Sequence, residues 1–167
     1  MRIAVFGLGY VGIVSAACLA RDGHAVVGVD PQPGKVDLVN EGRSPIVENY
    51  VGELVAEAVA AGRLRATSSA AEAVAASEMS LVCVGTPSLP GGGPNLSYVE
   101  AVGRNVAAYA QQDLVLVEKS TVPANTGSRL SQVIEREQHR HGQRVGSRRE
   151  PGATQLLLGG SARAGGR

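Results

Sequence analysis

Arg2-Ile3-Ala4-Val5-Phe6-Gly7-Leu8-Gly9-Tyr10-Val11-Gly12 opens the chain, and its reading decides the fold. Residues 2–6 form a short apolar run rich in strand formers. Gly7, Gly9 and Gly12 follow with the spacing G-x-G-x-x-G, and an Ala-rich apolar segment continues to Arg21 before Gly23 ends it. Ala25-Val26-Val27-Gly28-Val29 reads as a second strand that stops at Asp30. The order is strand, glycine turn, helix, strand, acid, with the helix beginning near Tyr10.

Each residue type in that order has a physical task. Gly7 permits a tight turn off the strand, Gly9 lets a pyrophosphate approach the backbone, and Gly12 lets helix and strand pack closely. A helix starting near Tyr10 turns its free N–H groups and positive dipole end towards phosphates. Asp30 lies 18 residues after Gly12, where a dinucleotide fold places the acid that accepts hydrogen bonds from the adenosine ribose hydroxyls. A carboxylate there repels a 2′-phosphate, which favours NAD over NADP. The alternative is a Gly-rich connection in an unrelated α/β domain, and both the flanking strands and the acid weigh against it.

The length of 167 residues is that of one domain. Hydrophobic residues make up 44% but aromatics only 3%, so the core must be built from Val, Leu, Ile and Ala. A net charge of +1 argues neither for nucleic acid nor for an acidic membrane surface, and neither is expected as a partner. No apolar run reaches the 18 residues of a membrane span, and the first strand begins at residue 2, so a cytoplasmic setting is expected. Cys18 and Cys83 lack metal-ligand spacing and read as small buried hydrophobes. His139 and His141 sit two apart at a helix end and do not face each other, so no metal is expected. The near-neutral total hides an asymmetry. Residues 146–167 carry four Arg against one acid and six Gly, whereas residues 1–145 carry 12 basic against 14 acidic groups.

Beyond Asp30 the pattern alternates helices and strands. Helices are expected over Pro33–Glu41, with Lys35 one turn in and placed to reach the adenosine half of a cofactor, and over Val51–Ala61. Leu64–Thr67 reads as a strand. Ser69 with Glu72 forms a capping box for a helix to about Ala76. Met79–Val84 reads as a central parallel strand ending in Gly85-Thr86-Pro87. Ligands of doubly wound sheets bind outside the carboxyl ends of strands, so Thr86 is a candidate cofactor contact, with an ordinary turn threonine as the alternative. Ser97 with Glu100 suggests another capping box, for a helix to about Gln111. Leu114–Val117 is a fifth strand, and Asn125 is placed to cap a last helix to about His139. Gly142 ends that helix, and Arg144-Val145 suggests the start of a sixth strand. The fold class is a Rossmann-like, doubly wound parallel α/β sheet, incomplete at its C-terminal side.

Several segments together resemble the UDP-glucose/GDP-mannose dehydrogenase family. They are Phe6 to Gly12, Gly28-Val29-Asp30 with Lys35 to Gly42, Ser44 to Glu48, Val82 to Pro87, and Lys119-Ser120-Thr121-Val122-Pro123. Order and spacing match over residues 1 to about 145, with wording slightly nearer the GDP-mannose 6-dehydrogenases. The resemblance implies oxidation of a nucleotide-sugar C6 hydroxyl to a carboxylate with NAD. It implies cofactor contacts at Gly9, Tyr10, Val11, Asp30, Lys35, Thr86 and Thr121, with Thr121 also near the reacting carbon as a catalytic residue. It implies a nucleotide sugar, GDP-mannose or UDP-glucose, as partner, and a homo-oligomer.

The chain departs from the family at several points. The cysteine that carries the covalent intermediate belongs to a second domain, and the family's Asn-Pro-Glu segment does not occur. The dimerisation helix and sugar-binding domain are missing too. The family usually reads Glu-Pro-Gly where Glu48-Asn49-Tyr50 stands, and Gly where Asn125 stands. Residues 146–167 read as a Gly/Arg-rich tail without regular structure. A reading frame shifted near Val145 would account for them, because Arg148 to Gly152 read one base later can encode Val-Ala-Asn-Pro followed by Glu or Asp. Ending the parallel sheet at five strands is expected to leave an apolar edge on the fifth. The readings weighed are a cofactor-domain fragment inactive alone, a free-standing NAD-binding module, and a different NAD or FAD enzyme sharing only the fold.

Overall fold

The computed structural model describes residues 1–141, together with the backbone of 147–149 and 155–158. Five strands run parallel: β1 (Arg2–Phe6), β2 (Ala25–Val29), β3 (Leu64–Thr67), β4 (Met79–Val82) and β5 (Leu114–Glu118). Their order is β3-β2-β1-β4-β5. Ile3 pairs in register with Val26 on one side and Met79 on the other. The chain leaves β1 in one direction for β2 and β3, then returns past β1 to β4 and β5. The direction of winding therefore reverses between β1 and β4, where a doubly wound sheet opens a crevice at the strands' carboxyl ends.

Alternation along the strands builds two apolar layers. Ile3 and Val5 of β1 face one layer with Leu8, Ile13 and Val55. That layer is covered by α1 (Tyr10–Arg21) and α3 (Val51–Ala60), with α2 (Pro33–Asn40) adding Val39 at its margin. Ala4 and Phe6 face the other, with Val82, Leu114 and Leu116. There α4 (Ala70–Ala75), α5 (Ser97–Tyr109) and α6 (Thr126–Arg140) pack through Val74, Val102, Val106, Leu130 and Ile134. The small side chains of Ala16, Ala17 and Ala20 are fully buried, so α1 sits low on the sheet. No helix among the described residues is long and apolar enough to cross a membrane.

The element order agrees with the sequence pattern, and the differences lie at element ends. β4 stops at Val82, two residues before the expected Val84. The Ser69 hydroxyl accepts the Glu72 N–H at 3.3 Å, but Glu72 does not reach back to Ser69. Its carboxylate instead meets Thr67 Oγ1 and Arg65, because β3 brings both within reach. The second capping box does not form. Ser97 is already helical, Leu96 stands at the cap, and the Ser97 N–H donates to Asn95 Oδ1 at 3.0 Å. Glu100 is drawn away by Arg129 and Arg104. Asn125 occupies the cap position of α6 without a side-chain hydrogen bond, in ordinary right-handed geometry.

The expected open edge of β5 is paired. β6 (Ser147–Arg149) and β7 (Gln155–Leu158) extend the sheet to the order β3-β2-β1-β4-β5-β7-β6, and β7 runs antiparallel to β5 with Leu114 opposite Leu158. An unpaired strand edge is a strong template for any available apolar segment, and Leu156-Leu157-Leu158 is one. Among the described residues the parallel part ends at five strands. The expected helix stop at Gly142 and the sixth strand at Arg144-Val145 lie outside the described residues.

Candidate functional site

The first turn of α1 is built to leave donors free. Gly7 turns off β1 at φ +92°, a conformation that L side chains avoid, and its N–H donates to the Val29 carbonyl at 2.8 Å. A Cβ on Gly12 would overlap the Gly7 carbonyl oxygen, so helix and turn touch backbone to backbone there. Above Gly9 the space is open. The helix has no side-chain cap, and its first internal hydrogen bond runs from Ile13 N–H to Gly9 C=O. The N–H groups of Tyr10, Val11 and Gly12 precede that bond and face outward with the positive dipole end. This is the cradle a pyrophosphate requires, and the residues present fit it.

Asp30 lies at the end of β2, only 4% exposed, and its carboxylate is held from three sides. The Leu8 N–H donates to Oδ2 at 2.8 Å, the Gln32 N–H to Oδ1 at 3.0 Å, and Lys35 Nζ to Oδ2 at 3.2 Å. The glycine turn and the acid are thus one unit, joined through Leu8. Oδ2 already has two donors and Oδ1 one. A ribose presenting two hydroxyls to this carboxylate must displace the Lys35 ammonium, the one mobile donor of the three.

A second cluster sits at the ends of β4 and β5. The Thr86 hydroxyl donates to the Thr121 carbonyl at 2.9 Å. Cys83 N–H donates to Phe6 C=O and Lys119 N–H to Val82 C=O, which ties β1, β4 and β5 together where the strands end. Cys83 lies buried beneath the glycine turn, and burial pushes its thiol up to about 11. It is an inert packing group at neutral pH. Cys18 is half-buried in α1.

The structure therefore brings Gly7, Gly9, Tyr10, Val11, Gly12, Asp30 and Lys35 into one region, and Thr86 and Thr121 into another. Both lie at the carboxyl ends of the parallel strands. In the first, Leu8 and Lys35 donate to Asp30, and in the second Thr86 donates to the Thr121 carbonyl; no hydrogen bond among the described residues links Asp30 or Lys35 to Thr86 or Thr121. Sequence reasoning missed the backbone donors of Leu8 and Gln32 and the buried Glu118 behind Ser120. Backbone donors carry no sequence signal, whereas a glutamate closing an apolar strand does. His141 pairs with Glu137 at 3.4 Å on α6, far along the helix from its N-terminal turn.

The model of the UDP-glucose/GDP-mannose dehydrogenase family's NAD-binding domain matches residues 1–150. The GDP-mannose 6-dehydrogenase of Azotobacter vinelandii is 45% identical over 139 residues, covering 81% of this chain and 32% of that protein. The UDP-glucose 6-dehydrogenase of Rhizobium meliloti is 47% identical over 135 residues, covering 80% and 31%. Among solved structures, the GDP-mannose dehydrogenase of Pseudomonas aeruginosa in a ternary complex superposes with a TM-score of 0.78 at 40% identity, covering 83% of this chain and 33% of that one. The chain spans about a third of the length of the relatives it matches. With the glycine turn, the buried acid and the switch point of the sheet already in place, this match is decisive: the chain belongs to the UDP-glucose/GDP-mannose dehydrogenase family and carries its NAD-binding domain.

Proposed function

We propose that this chain holds NAD as the cofactor domain of a nucleotide-sugar 6-dehydrogenase. GDP-mannose is the first candidate for the sugar and UDP-glucose the alternative, with the setting cytoplasmic and the assembled enzyme a homo-oligomer. The observation that carries the reading is the joint held by Leu8. The uncapped first turn of α1 and the buried carboxylate of Asp30 stand together at the switch point of the sheet. The pyrophosphate rests on the N–H groups of Tyr10, Val11 and Gly12, and the adenosine ribose on Asp30, with Lys35 swung aside. The other half of the cofactor then falls over the ends of β4 and β5, where Thr86 and Thr121 orient it and Thr121 faces the sugar's reacting carbon. Bound NAD supplies the hydride acceptor. This chain supplies binding and orientation, and the covalent chemistry belongs to groups outside it.

The domain boundary is placed near residue 145, and the family's further segments are read as encoded beyond a shift of frame there. Sequencing the gene downstream of codon 145 tests this, and the absence of a shifted frame for a second domain removes the idea. The functional reading is tested by mixing this chain with a separately produced sugar domain of a relative. NADH formation with GDP-mannose, greater than with UDP-glucose, is the expected result. If the mixture forms no NADH while the chain alone binds NAD, the second reading, a binding module without catalysis, replaces the first.

A further inference from the structure

Glu118 closes β5 and is 9% exposed. By strand alternation it faces the same layer as Leu114 and Leu116, in register beside Val82 of β4. Its Oε1 accepts the Ser120 N–H at 2.7 Å. Its Oε2 is buried with no hydrogen-bond partner. Eight residues on, Thr126 begins α6, also buried, and its hydroxyl oxygen has no partner either. The turn between them is tied on its other side to β4, by Ser120 Oγ to the Val82 carbonyl at 3.3 Å, and to the loop after β4, by the Thr86 hydroxyl to the Thr121 carbonyl. A chain of contacts thus runs from Glu118 through Ser120 and Thr121 to Thr86.

We propose that Glu118 is a positioning residue for the Ser120–Thr121 turn: its carboxyl grips the Ser120 amide, and its protonation sets how firmly the turn is held. The cofactor consequence rests on the reading of Thr86 and Thr121 as cofactor contacts. Glu118 is buried behind Ser120 and acts through it.

The second oxygen, Oε2, sets the direction. A neutral carboxyl leaves one uncharged polar atom in an apolar layer. A carboxylate leaves a charged one there, at much greater cost. The only relief comes from hydrogen bonds of Ser120 and Lys119, and burial outweighs it. The titratable groups near it are the exposed Lys119 next to it and the buried Cys83 just past the end of β4. The residues of α5 and α6 packed into this layer are Val99, Val102, Val106, Ala107, Leu130 and Ile134, and none titrates. Burial pushes the Glu118 carboxyl up, against the hydrogen bonds from Ser120 and Lys119 that lower it. The charged side chain gains donors only by moving towards water at the strand end, and that movement pulls on Ser120. The turn is tight when Glu118 is neutral and loosened when it is ionised.

The test uses the full chain from pH 5 to pH 9 as wild type, Glu118→Gln and Glu118→Leu. Hydrogen exchange of the Ser120 and Thr121 amides is measured against the Leu81 and Val82 amides as internal reference, and NADH affinity is followed by NADH fluorescence. In the wild type, relative protection of Ser120 and NADH affinity should each fall at least threefold as the pH rises. Glu118→Gln, neutral and isosteric, should keep the low-pH values throughout, and Glu118→Leu should show the loosened values throughout. A Gln variant that follows the wild-type curve, or a Leu variant that protects Ser120 as the wild type does, overturns the proposal. If no variant binds NADH at any pH, the cofactor reading fails, and amide exchange still decides the role of Glu118.

Discussion

Tyr50 shows what one residue can cost. It is the only described non-glycine residue with positive φ, at +65°, and it stands at the cap of α3 with its side chain 76% exposed. This is where the family's Glu-Pro-Gly wording puts glycine, and here an L residue carries the left-handed strain. A left-handed L residue costs about 1–2 kcal/mol, and glycine loses about 0.5–1 kcal/mol of extra chain entropy on folding. Tyr50→Gly should therefore stabilise the chain by about 0.5–1 kcal/mol, measured by urea unfolding. Ser80 is a second local case. Its hydroxyl is fully buried in β4 without a partner. Ser80→Ala removes an unpaired polar atom from an apolar layer and should stabilise by about 1 kcal/mol. Glu118 carries a pH signature of the opposite kind to that of a salt-bridged acid. Its folded pKa lies above its ordinary value of 4.5, so the folded chain binds the proton more tightly than the unfolded one. Its contribution is whole below about pH 4.5 and is lost as the pH rises through the raised value. Unfolding free energies against pH should fall over that window in the wild type and flatten in Glu118→Gln.

At the scale of elements, the legible features were those with a period or a fixed spacing. The strands, the helices and the Gly7-to-Asp30 unit follow from apolar alternation and from glycine placement, and they stand where the pattern puts them. Features that depend on which side chain reaches which neighbour were not legible. Ser97 and Glu100 have capping-box spacing, yet Asn95 takes the Ser97 amide and Arg129 takes the Glu100 carboxylate. Asn40 is the clearest omission. From the last turn of α2 its amide pairs with Ala66 in both directions, Nδ2 to the carbonyl at 3.0 Å and Oδ1 from the N–H at 2.7 Å. It closes part of the outer edge of β3 as a further strand would. Asn40→Ala removes both bonds and should cost about 1–2 kcal/mol, with amide exchange at Ala66 rising more than at Val27 in the sheet interior. The partnership spans 26 residues, so no local reading could find it. Gly12 is the converse, a contact the spacing did announce. Gly12→Ala forces α1 off the glycine turn, and should abolish NAD binding even if the chain still shows helix and sheet by circular dichroism.

For the whole molecule, the sheet's winding places every candidate cofactor contact along one edge, the carboxyl ends of β1, β2, β4 and β5. The pattern of elements foretold that edge, and the family match supports the ligand. The pairing of β7 along β5 was not foreseen, because the composition of residues 146–167 speaks of turns and charge while the single run Leu156-Leu157-Leu158 supplies the strand. Ligand linkage gives the account a global consequence, since NAD at 100 times its Kd should add about 2.7 kcal/mol to unfolding. The central claim is that the turn from Gly7 to Gly12 and Asp30 together form a site for NAD and not for NADP. Isothermal titration of the full chain with NAD and with NADP, in the wild type and in Asp30→Ala, tests it most directly. One NAD per chain is expected, with binding at least tenfold weaker for NADP and loss of that preference in Asp30→Ala. Equal binding of the two cofactors by the wild type, or no NAD binding by a folded chain, would contradict it.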